Sequence, residues 1–169
     1  MKPLIVCFSL TGHTRKICGC LAKSLGADYT EIKEISRRSR VSAYTLGVYD
    51  ALRHKNGNIR PLAADVSHYG RLIVATPVWA GNIPPAVNDF VREYELHGKT
   101  VYGLVTHAGG PGQAMDFLKQ ELEQAGASCP NVLGVLSSRE AIHELKAGRL
   151  VFALDEDGKL ALKNGDPQK

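Results

Sequence analysis

Leu4-Ile5-Val6-Cys7-Phe8-Ser9-Leu10-Thr11-Gly12-His13-Thr14 is an apolar run that passes directly into a cluster of hydroxyls and one glycine. Beyond it Ile17, Leu21 and Leu25 recur at helical spacing, so the stretch predicts a buried strand, a tight loop and an amphipathic helix. The loop therefore falls at a helix N-terminus. Backbone N–H groups there lack intrahelical partners and the helix dipole is positive, so Ser9, Thr11, Gly12, His13 and Thr14 suit the wrapping of a phosphate without an obligatory Lys or Arg. Ser and Thr also cap helix starts on their own account, and this loop alone does not separate the two roles.

The same arrangement recurs twice. Leu72 to Thr76 leads into Pro77-Val78-Trp79-Ala80-Gly81-Asn82-Ile83-Pro84-Pro85, and Val87, Phe90, Val91 and Tyr94 then follow at helical spacing. Trp79 is the chain's one tryptophan. Held beside glycine and proline on such a turn, an indole offers a flat, stiff surface to a planar heterocycle; half-buried packing is its alternative fate. Val101 to Thr106 leads into Thr106-His107-Ala108-Gly109-Gly110-Pro111-Gly112, followed by Ala114, Leu118, Leu122 and Ala125. Thr106 and the Gly109-Gly110 backbone suit the polar edge of a ring, because glycine lets N–H groups approach closely. His107 is the candidate catalytic group, as a hydrogen-bond donor or proton source, or else an exposed loop histidine.

Together, Ser9-x-Thr11-Gly12-x-Thr14, Pro77-x-Trp79-x-Gly81-x-x-Pro84-Pro85 and the glycine-rich stretch from Thr106 to Gly112 resemble the loops of the flavodoxin-like family, over roughly residues 3 to 138. The resemblance implies a flavin mononucleotide (FMN) cofactor. It implies phosphate at residues 9 and 11–14, and the flavin ring against Pro77, Val78, Trp79, Ala80, Gly81 and Asn82. Thr106, His107, Ala108, Gly109, Gly110 and Gly112 would clamp the ring's far edge. In this family a peptide at the position of Gly81 reorients with flavin N5 protonation. Two departures stand out: His13 replaces the usual Asn, and the third loop lacks the aromatic residue that covers the outer flavin face in many electron carriers.

None of the apolar runs alternates strictly with polar residues, which predicts strands buried on both faces of a parallel sheet. Asp28 to Lys33 does alternate and suits an edge; Val41, Tyr44, Val48 and Leu52 form one helical stripe; Val132 to Leu136 is a further strand. Alternating strands and helices predict a right-handed, doubly wound α/β fold with its ligand crevice at the carboxyl edge of the sheet. The family resemblance gives five strands in the order 2-1-3-4-5. Gly26 and Gly126 are expected as left-handed helix caps. Arg139 to Ala147 reads as a last helix, and Leu150 to Leu154 and Leu160 to Lys163 flank Asp155-Glu156-Asp157-Gly158 as a β-hairpin. That hairpin either packs on its own sheet or pairs with another subunit to give a homodimer. Residues 1–163 are expected as one domain, with 164–169 a frayed tail.

A chain of 169 residues fits a single core. No apolar stretch approaches the ~20 residues of a membrane helix, and no cleavable leader is evident. The expectation is a cytoplasmic protein with no membrane association. Cys7, Cys18, Cys20 and Cys129 are too few and irregular for a disulfide scaffold, and Cys18-x-Cys20 lacks zinc-site spacing, so no metal is expected. Cys7 and Cys18 read as core, and Cys20 as exposed with a thiol pKa lowered by nearby lysines. A Cys-based phosphatase loop fails for want of an Arg at His13, and a receiver domain fails for want of aspartates where Ser9 stands.

Residues 1–62 hold 11 Lys/Arg against 4 Asp/Glu, and the remainder 10 against 13, giving +7 and −3. Much of the excess lies in Ser36-Arg37-Arg38-Ser39-Arg40 and Arg53-His54-Lys55. Without aromatic interleaving this is not a nucleic-acid pattern. The leading functional expectation is an FMN-binding redox protein that exchanges electrons with a partner protein or a small-molecule donor or acceptor. One alternative is an NAD(P)H-dependent quinone or flavin reductase, with Arg37, Arg38 and Arg40 meeting a nucleotide phosphate. The other is a flavin-free interaction module.

Overall fold

The computed structural model describes residues 2–35 and 59–165. Five parallel strands form one sheet in the order β2-β1-β3-β4-β5: β1 Leu4–Cys7, β2 Asp28–Glu31, β3 Arg71–Pro77, β4 Thr100–His107 and β5 Val132–Leu136. Four helices are described, α1 His13–Leu25, α2 Pro85–Glu93, α3 Ala114–Gln124 and α4 Arg139–Lys146. This is the doubly wound α/β fold expected. The helix and basic runs expected at 36–58 lie outside the described residues.

Each face of the sheet has its own core, which is why the strand sequences do not alternate. One face packs Leu4, Val6, Leu72, Val74, Val101 and Val105 against Val87 and Phe90 of α2 and Leu118 and Leu122 of α3. The other packs Ile5, Cys7, Ile73, Ala75 and Leu104 against Ile17, Cys18 and Leu21 of α1 and Ile142 and Leu145 of α4. Gly103, in the centre of β4, sets how closely α3 can lie: a Cβ there would stand 2.9 Å from Leu118 and 2.7 Å from Val132. Gly26 at φ 59 and Gly126 at φ 80 close α1 and α3 in the left-handed region, as predicted.

Strands β6 (Leu150–Leu154) and β7 (Leu160–Asn164) form the antiparallel hairpin. It folds back onto its own domain. α4 has only eight residues, and the hairpin covers the rest of that face with Phe152 and Leu160, both buried. Asn131 clamps it from both sides, donating from Nδ2 to the Leu160 carbonyl and accepting the Leu160 N–H, each at 2.9 Å.

Several details differ from expectation. β2 ends at Glu31 rather than Lys33, because Glu34 turns away to form an antiparallel bridge with Ile59. β7 runs on to Asn164, which pairs with Leu150, one residue beyond the expected Lys163, and the Gly165 N–H then donates to the Arg149 carbonyl. Cys20 is half-buried rather than exposed, and burial raises its thiol pKa more strongly than Lys23 and Lys146 lower it. Cys7 and Cys18 are core residues as expected.

Candidate functional site

All three loops emerge from the carboxyl ends of β1, β3 and β4, which are adjacent in the sheet. The first is a tight turn organised by Ser9. Its Oγ accepts the Gly12 N–H at 3.1 Å and the Arg15 N–H at 3.3 Å, while Gly12 takes φ 90 immediately before α1. The first intrahelical bond runs from the Lys16 N–H to the Gly12 carbonyl at 3.1 Å. The N–H groups of His13 and Thr14 therefore precede the helical ladder and have no intrahelical acceptor. Ser9 uses its lone pairs within the turn and keeps its own proton to donate.

Thr14 points inward. Its hydroxyl meets that of Thr106 at 2.8 Å, both buried, and this bond ties the first loop to the third across the end of β3. Thr11 Oγ1 and His13 Nδ1 lie 3.3 Å apart at the exposed rim. The guanidinium of Arg15 is turned toward β2 by Glu31, with Nε donating to Oε1 at 2.6 Å, a bond that raises the Arg15 pKa.

The second loop is a two-residue reverse turn. The Trp79 N–H donates to the Asn82 carbonyl at 2.8 Å and the Asn82 N–H returns to the Trp79 carbonyl at 2.9 Å. Ala80 at φ 49 and Gly81 at φ 79 occupy the centre, the backbone of a type I′ turn. Ala80 is the one non-glycine residue at positive φ among those described, a strain of roughly 1–2 kcal/mol. Behind it the Gly81 carbonyl accepts the Gln113 N–H at 2.9 Å, and a Cβ on Gly112 would stand 2.8 Å from Gly81 Cα. Loops two and three are thus buttoned together by paired glycines, and reorienting the Gly81 carbonyl requires breaking its bond to Gln113. Trp79 rests edge-on against Phe8, ring centroids 5.7 Å apart and planes at 72°.

These loops enclose a cavity of about 340 Å³. Thr11, His13 and Thr14 line it from the first loop, residues 77–80 from the second, and residues 106–110 from the third. Of the predicted residues, Ser9, Gly12, Gly81, Asn82 and Gly112 do not line it; they shape the turns behind the wall. Leu10 and Ser137 line it and were not predicted. Ser137 follows β5 at the same sheet edge, the one signal that pointed to it; its N–H and hydroxyl both donate to the His107 carbonyl, at 2.8 and 3.1 Å. His107 Nδ1 is buried with no hydrogen-bond partner, a state costing about 1–3 kcal/mol. No loop residue is acidic.

A wider groove of about 510 Å³ lies beside Arg92, Glu95 and Glu121 at the C-terminal ends of α2 and α3. Helix C-termini carry partial negative charge and present carbonyls, so that groove is unsuited to a phosphate. No group of metal-ligating side chains occurs among the described residues, and none of their helices is long and apolar enough to cross a membrane.

The sequence model of the flavodoxins matches residues 2–145, which include every strand and loop of the cavity. The chain belongs to the flavodoxin family. No curated protein matches the sequence. Among solved structures, this flavodoxin resembles a flavoprotein from Bacteroides eggerthii DSM 20697 at 22% identity and TM-score 0.70, over 86% of this chain and 94% of that one. It also resembles a flavoprotein in complex with FMN from Lactobacillus acidophilus NCFM, at 19% identity and TM-score 0.63, over 80% of this chain and 91% of that one. Flavodoxin 2 from Bacillus cereus aligns at 17% identity and TM-score 0.55, over 86% of this chain and 92% of that one. These likenesses establish the fold.

Proposed function

We propose that this flavodoxin binds one FMN non-covalently in the carboxyl-edge cavity and passes electrons through it to a redox partner. The observation that carries the proposal is the convergence of three loops on one cavity, with the His13 and Thr14 N–H groups of a helix N-terminus at one end and Trp79 as a wall. The residues present fit the group. The N–H groups of His13 and Thr14, with the Thr11 hydroxyl, would hold the phosphate, on a turn that Ser9 keeps in shape. Trp79 would lie against the flavin ring, kept in place by Phe8. The 106–110 backbone would meet the ring's polar edge, its glycines letting N–H groups approach closely.

When bound, FMN supplies reversible electron acceptance, while the protein positions it and sets its surroundings. Ala108, Gly109 and Gly110 are too small to cover a ring beside them, so that side stays open to an approaching partner. The proposal also draws support from the FMN held by the Lactobacillus acidophilus flavoprotein.

Purified protein should show visible flavin absorption, or take up added FMN, and should then carry electrons from a flavoprotein reductase to cytochrome c. Absence of flavin uptake would overturn the cofactor assignment. Rapid oxidation of NADPH with a quinone, and no transfer to a protein acceptor, would overturn the carrier role.

A further inference from the structure

We propose that Arg15 is the charge by which this site selects a phosphorylated flavin over the same ring without a phosphate. The inference rests on the FMN site proposed above and adds a specificity determinant to it.

Arg15 lies in the first turn of α1, and its backbone N–H is bonded to Ser9 Oγ at 3.3 Å, so its Cα is fixed relative to the loop. Its side chain folds back outside the turn. The Nε donation to Glu31 at 2.6 Å occupies one edge of the guanidinium and fixes its direction. Nη1 then lies 3.9 Å from the point where a Cβ on Gly12 would stand, alongside the bend of the loop. Gly12 has no side chain to shield that approach. The Glu31 side chain is 19% exposed and the Arg15 side chain 53%, so the carboxylate is the anchor; the guanidinium also meets the Tyr29 hydroxyl and keeps its remaining donors toward solvent at the loop's outer wall.

A phosphate monoester carries about −1.5 to −2 charges at pH 7. The helix N-terminus supplies only about half a positive charge, and the loops contain no acidic residue to oppose binding. Arg15 adds a full charge that cannot be deprotonated, with paired donors matched to phosphate oxygens. Glu31 offsets part of that charge, which limits the expected selectivity to about tenfold. A ring without phosphate does not reach this wall, so its affinity is independent of Arg15.

The test is a fluorescence titration of apo-protein with FMN and, separately, riboflavin, at low and high salt, for wild type, Arg15→Gln and Arg15→Lys. Thermal melts confirm that each variant folds. Arg15→Gln should weaken FMN about tenfold, leave riboflavin unchanged and flatten the salt dependence of FMN binding; Arg15→Lys should restore most of that dependence. Equal loss of both flavins, or loss of neither, would overturn the charge assignment while leaving the FMN site intact. Wild-type protein that binds neither flavin would remove the site and this inference together.

Discussion

The two ends of the parallel sheet are made by the same strands and treat their polar groups in opposite ways. At the amino end, Asn131 closes both backbone groups of Leu160, the Tyr102 hydroxyl donates to the Gly158 carbonyl at 3.0 Å, and the Phe152 N–H donates to Ser24 Oγ at 3.3 Å. Asp28 likewise holds Lys2 and the Tyr69 hydroxyl at 2.6 and 3.0 Å. At the carboxyl end, the N–H groups that open α1 precede any helical bond and a buried histidine nitrogen has no partner. The first end is closed by the chain itself. The second is held in shape by bonds among its own loops while donors are left over, the condition a ligand would satisfy.

That contrast predicts separable effects. Phe152→Ala opens a cavity under the hairpin and should cost about 3–5 kcal/mol in chemical denaturation, with no change in FMN affinity at temperatures where the protein stays folded. A hairpin substitution that altered FMN affinity would break the separation. Thr14→Val leaves the Thr106 hydroxyl buried without its partner; it should cost about 1–3 kcal/mol and also weaken FMN, since the bond spans two loops of the site. Trp79→Leu should reduce flavin affinity roughly tenfold while lowering stability by about 1 kcal/mol or less, the scale of one aromatic pair.

The smallest effect lies back on the closed side. Glu144 is bonded to Arg149 at 2.6 Å, which lowers its pKa from 4.5 to about 2. A depressed carboxylate contributes stability above its unfolded value, so this contribution is full above pH 4.5 and is lost as pH falls through about 2. Arg149→Met should remove that part of the acid sensitivity, as read from melts between those limits. An unchanged acid profile would show that the exposed pair is energetically silent.

Much of this architecture is legible in the sequence because the signals are local. Leu4 to Cys7 cannot alternate if both faces are buried, and Ser9 to Thr14 cannot avoid a helix start once Ile17, Leu21 and Leu25 share a face. What the sequence hides depends on contacts distant in the chain. Arg15 reads as an ordinary charged helix residue until Glu31, brought beside it by parallel pairing of β1 and β2, turns its guanidinium. Thr14 reads as a phosphate ligand, and only the sheet order β1-β3-β4 shows its hydroxyl meeting that of Thr106. Cys20 likewise reads as exposed from the α1 pattern alone, whereas the structure leaves it half-buried.

Because Trp79 is the single tryptophan, its emission reports on the proposed site alone. Titrating apo-protein with FMN should quench Trp79 emission and flavin fluorescence in one saturable transition with a stoichiometry of one. FMN that binds while Trp79 emission stays unchanged, or that does not bind, would contradict the assignment of these three loops to one flavin.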